Sequence, residues 1–224
     1  MAEPADDRLE ATFCFVDLAG FTALTEAHGD VDAANLAERF AALARASLGP
    51  HDTLVKTIGD AVLVMAEDPQ SALGFLRRLF VAAEEVPAFP ALRAGLNHGS
   101  AVGRSGDVFG AAVNLAARIA GQARGGQVLC TASVASVARD AGVAVVEIGE
   151  MEFKNVREPV SIYALASDDR AQHSATDPVC KMRVDRDSAA GRLRHEAVDY
   201  FFCGLTCAGA FATDPWKFAT RKRG

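Results

Sequence analysis

Residues 53–66, TLVKTIGDAVLVMA, constrain this chain more than any other stretch. Two apolar runs, Leu54-Val55 and residues 61–65, flank Gly59-Asp60, which reads as a tight hairpin turn because glycine supplies the positive φ such turns need. The ribbon is hydrophobic except for Lys56 and Asp60. Burying either charge without a partner is costly, so each must find one in the fold.

A partner for Asp60 is suggested by FCFVDLAGFT, residues 13–22. Residues 13–16 form an apolar run long enough for a buried strand, and the run ends at Asp17, where a helical pattern opens. If that strand pairs with the hairpin, Asp17 and Asp60 converge beside a helix start, a donor set suited to hard divalent cations such as Mg²⁺ or Mn²⁺. A plainer alternative makes Asp17 a helix N-cap and Asp60 a turn residue.

With 224 residues, half of them hydrophobic and 23% charged, the chain can bury a full core and still carry a small appendage. The net charge of −6, with basic residues clustered only at 221–224, argues against a nucleic-acid partner. No apolar run approaches the roughly 20 residues of a membrane span, and the acidic lead, residues 1–10, is unlike a signal peptide. A cytoplasmic protein is expected. Its five cysteines lack the spacing of a disulfide framework: Cys14 and Cys130 sit in apolar strands as inert thiols, whereas the three near the end suit metal ligation.

In order, the pattern predicts a strand at 13–16, a helix at 30–48 stopped by Gly49-Pro50, the hairpin, a helix at 69–86 and a strand at 92–98. A glycine-rich loop, GSAVGRSGDVFG, leads to a helix at 111–123. A strand at 127–131, a helix at 132–140 and strands at 143–149 and 159–164 complete the series. The order describes an α+β, ferredoxin-like layer: a central, mostly antiparallel sheet with helices on one face.

In GRSGDVFGAAVNLAARI, residues 103–119, Asp107 lies in the glycine-rich loop. Asn114 and Arg118 stand four apart on the following helix, so they share a face. A guanidinium held on a rigid helix suits a phosphate. Together, FVDLAGFT, KTIGDAVLVMA, GDVFGAAVNLAAR and FKNVREPVSIYAL, in this order, resemble the catalytic domain of class III adenylyl cyclases over residues 11–165. The resemblance implies that Asp17 and Asp60 hold two Mg²⁺ or Mn²⁺ ions and that Lys56 and Asp107 read adenine. It also implies that Arg118 steadies charge on the α-phosphate and Asn114 orients the ribose. The backbone of Leu18, Ala19, Gly20, Phe21 and Thr22 would cradle the triphosphate, and Lys154 or Arg157 would touch the terminal phosphates. The implied reaction converts ATP to 3′,5′-cyclic AMP and pyrophosphate at the interface of a homodimer, with the metal residues from one subunit and Asn114 and Arg118 from the other. The short span between Asp60 and Asp107 implies that any dimerisation arm is reduced.

Residues 166–175 are polar and read as a linker, after which the composition changes. Cys203 and Cys207 lie four apart, close enough to chelate one ion, and Cys180 can supply a third thiolate. Residues 176–219 resemble a YHS domain, a small treble-cleft-like metal-binding module, which implies Zn²⁺ or Cu⁺; His195 and Asp177 stand as candidates for a fourth ligand. Two other functions fit parts of this pattern: a catalytically silent nucleotide-binding module, and a metal sensor or carrier centred on the C-terminal cysteines.

Overall fold

The computed structural model describes residues 7–166 and 174–219. The basic end at 221–224, most of the linker and the first six residues of the acidic lead lie outside them.

The chain opens with β1 (Arg8–Leu18), α1 (Phe21–His28), α2 (Asp30–Ala46) and the hairpin β2 (Asp52–Ile58) and β3 (Ala61–Ala66). There follow α3 (Pro69–Glu84), β4 (Leu92–Arg104), β5 (Asp107–Phe109), α4 (Ala111–Gln122), β6 (Val128–Thr131), α5 (Ala132–Asp140), β7 (Val145–Met151) and β8 (Val160–Leu165). The main sheet runs β2-β3-β1-β4-β6-β8-β7, with β5 paired to β4. Every pairing is antiparallel except β4 with β6, which are joined through α4, the kind of crossover a parallel pair requires. The architecture is the expected α+β layer around a mostly antiparallel sheet.

Three details differ from the sequence reading. First, β1 starts at Arg8, which pairs with Val102, so the last residues of the acidic lead belong to the sheet. Second, the expected glycine-rich loop is largely strand: β4 continues to Arg104, and Asp107 begins β5 rather than lying in a loop. Third, the helices do not all share one face. Val16, Val62 and Val64 pack with Phe40 of α2 and Phe75 of α3, whereas Phe13, Leu63 and Ala101 pack with Val113 and Ala116 of α4. The residues of β1 from Ala11 to Cys14 are all buried, so alternate side chains need cover from both sides.

The two core helices form for legible reasons. Asp68 caps α3 by accepting from the Ser71 amide at 2.7 Å, and Pro69 occupies the first turn. Along α3, Ala72, Phe75, Leu76, Leu79 and Ala83 recur at helical spacing and are buried; each large one contributes about 1.5–3 kcal/mol. Gly29, with φ of 86°, separates α1 from α2.

Beyond the linker lie β9 (Ser174–Thr176), β10 (Arg183–Asp185), β11 (Gly191–His195), β12 (Val198–Phe202), α6 (Leu205–Thr213) and α7 (Pro215–Phe218). Its small core comprises Val179, Cys180, Phe202, Cys207 and Phe211, with Ala27 of α1 packed against it. The tail docks on the first unit: Met182 bridges Pro90, and the Arg183 guanidinium donates to the Ala83 and Glu84 carbonyls at the end of α3.

Candidate active site and cysteine cluster

Asp17, the last residue but one of β1, lies in register with Ala61, beside Asp60 in the hairpin turn; the Leu18 amide donates to the Asp60 carbonyl at 3.2 Å. The two aspartates therefore converge. Asp17 is not a helix cap, because α1 begins after Gly20 and has no side-chain cap. Burial pushes the Asp17 carboxyl above its ordinary range, the Arg93 guanidinium pulls it down, and the nearby Asp60 charge pushes it up again. Arg93 lies opposite Asp17 in the β1–β4 register and grips both carboxylate oxygens, at 2.5 and 2.8 Å. A half-buried carboxylate raised in this way, with a second carboxylate beside it, fits a hard divalent cation, which would relieve both burdens.

Of the five residues proposed as a phosphate cradle, two have amides committed elsewhere: Leu18 to Asp60, and Ala19 to the Ala91 carbonyl at 2.8 Å. The Gly20, Phe21 and Thr22 amides precede the first intrahelical bond, from Leu24 to Gly20, and form the helix start that an anion could use. Gly20 has φ of 80°, a turn conformation suited to glycine.

Lys56 donates to Asp107 at 2.6 Å, joining β2 to β5. Asp107 also accepts from its neighbour, the Val108 amide, and its carboxyl is held below the ordinary range, chiefly by Lys56. A cation and an anion thus stand side by side at the edge of the sheet.

Asn114 and Arg118 ride on α4, and the seat of that helix is built with unusual closeness. A Cβ on Gly95 of β4 would fall 2.1 Å from the Ala120 nitrogen and 2.5 Å from the Ala116 carbonyl oxygen. Buried Asn97 donates to the Ala112 carbonyl at 3.1 Å and accepts from Thr131 at 2.9 Å, tying the start of α4 to β4 and β6. Among the described residues, neither the Asn114 nor the Arg118 side chain has a hydrogen bond or ion pair with the two aspartates or with the Lys56–Asp107 pair. One chain thus brings the residues together as two pairs and leaves α4's polar face separate. Lys154 and Arg157 are exposed in the β7–β8 connection, at the opposite edge of the sheet from the hairpin.

In the tail, Cys180, Cys203 and Cys207 come together, as the spacing suggested, but neither expected fourth residue joins them. Asp177 is buried and spends its carboxylate on the Val179, Cys180 and Cys203 amides, shaping both cysteine turns. His195 packs edge-on against Trp216 and Phe211. The fourth group is His28, at the end of α1: its Nε2 lies 3.8 Å from both Cys203 Sγ and Cys207 Sγ. Burial pushes the Cys130 thiol up to about 12 and the fully buried Cys14 thiol higher still, consistent with inert core cysteines.

Sequence reasoning missed Arg93, Asn97 and His28. Arg93 was open to discovery, since pairing the Asp17 strand with the strand from residue 92 puts an arginine opposite an aspartate. His28 carried no local signal, being more than 150 positions from Cys180.

A sheet of this order, with two aspartates converging at the end of its central strand and a Lys–Asp pair across its edge, defines a class III nucleotide cyclase domain. The family model for the adenylate and guanylate cyclase catalytic domain matches residues 4–167, and the chain belongs to that family. It is 41% identical over 139 residues to a pH-sensitive adenylate cyclase of Mycobacterium tuberculosis, covering 62% of this chain and 35% of that one. It is 42% identical over 106 residues to an adenylate cyclase of Streptomyces griseus, covering 47% and 27%. The chain thus spans about a third or less of these curated relatives. Among solved structures, the adenylyl cyclase CyaB of Pseudomonas aeruginosa has the same fold, with a TM-score of 0.62 at 22% identity over 73% of this chain and 96% of that one. An adenylate/guanylate cyclase/hydrolase from Silicibacter pomeroyi gives a TM-score of 0.63 at 27% identity over 72% and 98%. Among the described residues, no helix is long and apolar enough to cross a membrane.

Proposed function

We propose that the chain is an adenylate cyclase that converts ATP to 3′,5′-cyclic AMP and pyrophosphate in the cytoplasm, at sites shared between the two subunits of a homodimer. The observation that carries the choice of substrate is the Lys56–Asp107 pair. Adenine offers an acceptor at N1 and a donor at its exocyclic amine, which Lys56 and Asp107 complement; guanine presents the reverse pattern. The names of the relatives support the same reading.

Two Mg²⁺ or Mn²⁺ ions held by Asp17 and Asp60 would neutralise the triphosphate and acidify the ribose 3′-hydroxyl. The protein's own work is then positional. The 3′-oxygen attacks the α-phosphorus in line with departing pyrophosphate, while the partner subunit's copies of two α4 residues act on the substrate: Asn114 orients the ribose, and Arg118 sets a permanent positive charge where negative charge builds. The Gly20, Phe21 and Thr22 amides face the phosphates. Arg93 grips both oxygens of Asp17, and it would become available to the phosphates if Asp17 held a cation. Lys154 or Arg157 would reach the terminal phosphates from the partner, because each lies far from the hairpin of its own chain. Separation of the two residue sets within one chain supports the shared site, and since one chain supplies every role, the dimer has two equivalent sites.

Residues 176–219 act in this reading as a metal-binding module of the YHS kind, in which the three cysteines sense Zn²⁺ or Cu⁺ and set the cyclase rate. Comparing the full chain with a chain ending at Ala166, each with and without added metal, tests that coupling: equal rates in all four arms refute it. For the activity itself, purified protein is given ATP or GTP with Mn²⁺ over a range of protein concentrations, and the products are separated by chromatography. Cyclic AMP formation that rises more steeply than protein concentration is expected. Tight ATP binding without turnover would favour a silent nucleotide-binding module, and preference for GTP would overturn the adenine reading.

A further inference from the structure

We infer that the cysteine cluster is a four-coordinate Zn²⁺ site whose fourth ligand is His28, so that a single ion fastens the tail to the helix that opens the nucleotide site. The inference rests on the reading of the three cysteines as metal ligands and adds to it the catalytic unit's own contribution. The His28 Nε2 and the Cys180, Cys203 and Cys207 sulfurs all lie within 4.8 Å of one another. Four of the six separations are 3.4 Å (Cys180–Cys203) and 3.8 Å (Cys203–Cys207, His28–Cys203 and His28–Cys207). An ion about 2.3 Å from each sulfur and 2.0 Å from the nitrogen sets tetrahedral edges of about 3.5–3.8 Å. The cluster already has nearly that shape. Three thiolates with one imidazole form a recognised closed Zn²⁺ set, and the imidazole distinguishes it from the all-sulfur surroundings that suit Cu⁺. Binding releases the thiol protons to solvent and leaves the imidazole neutral.

The surroundings are built to hold these ligands. The Asp177 carboxylate organises the turns that carry Cys180 and Cys203 through their amides, and Ala27, next to His28, packs into the tail's core. At the other end of α1, Lys181, next to Cys180, lies so close to Gly20 that a Cβ there would be 2.5 Å from its own. The tail therefore touches both ends of an eight-residue helix whose first amides face the phosphate region, and the ion fixes the far end. Occupancy of the cluster is thereby linked to the order of α1, the segment between Asp17 and His28.

The test uses the full chain, stripped of metal under reducing conditions, kept in excess Mg²⁺ to occupy the aspartate site, and titrated with Zn²⁺ against a chromophoric chelator. Stoichiometry is read by native mass spectrometry, ligand type from the Co²⁺ absorption spectrum, and order in residues 21–29 by hydrogen exchange. The native chain should bind one Zn²⁺ and give tetrahedral bands with thiolate-to-cobalt charge transfer. Zn²⁺ should slow exchange in α1. Cys207→Ser should lose tight binding. His28→Ala should weaken binding by no less than the roughly 100-fold that losses in the surrounding shell can reach, and should leave exchange in α1 indifferent to Zn²⁺. His28→Cys, which restores four ligands, should recover tight binding. If His28→Ala binds as tightly as the native chain, or if Cu⁺ binds tightly whether or not His28 is present while Zn²⁺ does not, the His28 assignment falls and a cysteine-only site stands. If the native chain binds neither metal, the reading of the cysteines falls with it.

Discussion

Replacing Gly95 by alanine adds one methyl group to the chain and should disable the enzyme. The new Cβ would meet the Ala120 nitrogen at 2.1 Å, the Ala116 carbonyl oxygen at 2.5 Å and the Ala120 Cα at 2.7 Å, all backbone atoms of α4 that cannot rotate away. Restoring ordinary contact requires the helix to lift from β4 by more than about 1 Å, and overpacking of this kind costs about 1–3 kcal/mol. The same movement carries Asn114 and Arg118 out of place. A misplacement of about 1 Å at a reacting centre can cost on the order of 100-fold in rate. Urea unfolding should therefore show a lower midpoint with an unchanged slope, and the cyclic AMP assay should show a kcat lower by about two orders of magnitude. Gly121→Ala is the control: it lies on the same helix and has nothing within 4 Å of its added Cβ. It should be neutral or stabilising by up to about 1 kcal/mol. Native activity and stability in Gly95→Ala would refute the claim that this contact seats the helix.

Asp17→Asn should abolish cyclase activity without destabilising the metal-free fold. Because burial and Asp60 raise the Asp17 carboxyl, the fold binds its proton more readily than the unfolded chain does; stability then declines as pH rises from the ordinary aspartate value through the raised one. The substitution should flatten that part of the pH–stability curve, and Mn²⁺ should raise the Tm of the native chain more than that of the variant. Asn97→Ala removes the bonds to the Ala112 carbonyl and from the Thr131 hydroxyl, which keeps Ser133 Oγ at 3.2 Å, and should cost about 0.5–1.5 kcal/mol per lost bond in denaturant unfolding. Lys56→Ala should lower the ratio of kcat/KM for ATP to that for GTP at least about tenfold, equivalent to about 1.4 kcal/mol. Because Asp107 is held low by Lys56, the stability that pair supplies is present above the ordinary aspartate pKa and disappears as pH falls through the lowered value; the variant should lack this acid-side loss.

Much of the fold was legible because its signals are local. Gly59-Asp60 between apolar runs gave the hairpin, Gly49-Pro50 gave the end of α2 to within a few residues, and the period of Phe75, Leu76 and Leu79 gave α3. The continuation of β4 was hidden because Gly99 and Gly103 have the composition of a loop. In the structure Gly99 makes room for α4, with Ala112 Cβ 3.1 Å from where its own would be, and the Gly103 amide donates to the Asp7 carbonyl at 2.9 Å. Residues 8–10 read as a polar lead because only one face of that strand end is covered. The approach of Asp17 to Asp60 followed from pairing the first strand with the hairpin, whereas the pairing of Lys56 with Asp107 came from the family resemblance, and the structure sets those two side chains 2.6 Å apart. Arg93 and His28 lay beyond the sequence signal for different reasons. Arg93 acts through cross-strand register, visible only once β1 and β4 are paired. His28 depends on how the tail docks, which no local spacing encodes.

The most direct test of a site assembled from two chains is complementation between two dead enzymes. In the proposed mechanism Asp17 would hold a metal ion and Arg118 would steady the transition state, so the Asp17→Asn and Arg118→Ala homodimers should each be inactive. When equal amounts are mixed and the subunits allowed to exchange, half of the dimers are mixed, and each mixed dimer has one site with neither lesion. About a quarter of native cyclic AMP production should return, because one of two sites works in half of the dimers. No recovery, with mixed dimers demonstrated by mass spectrometry, would contradict the shared site.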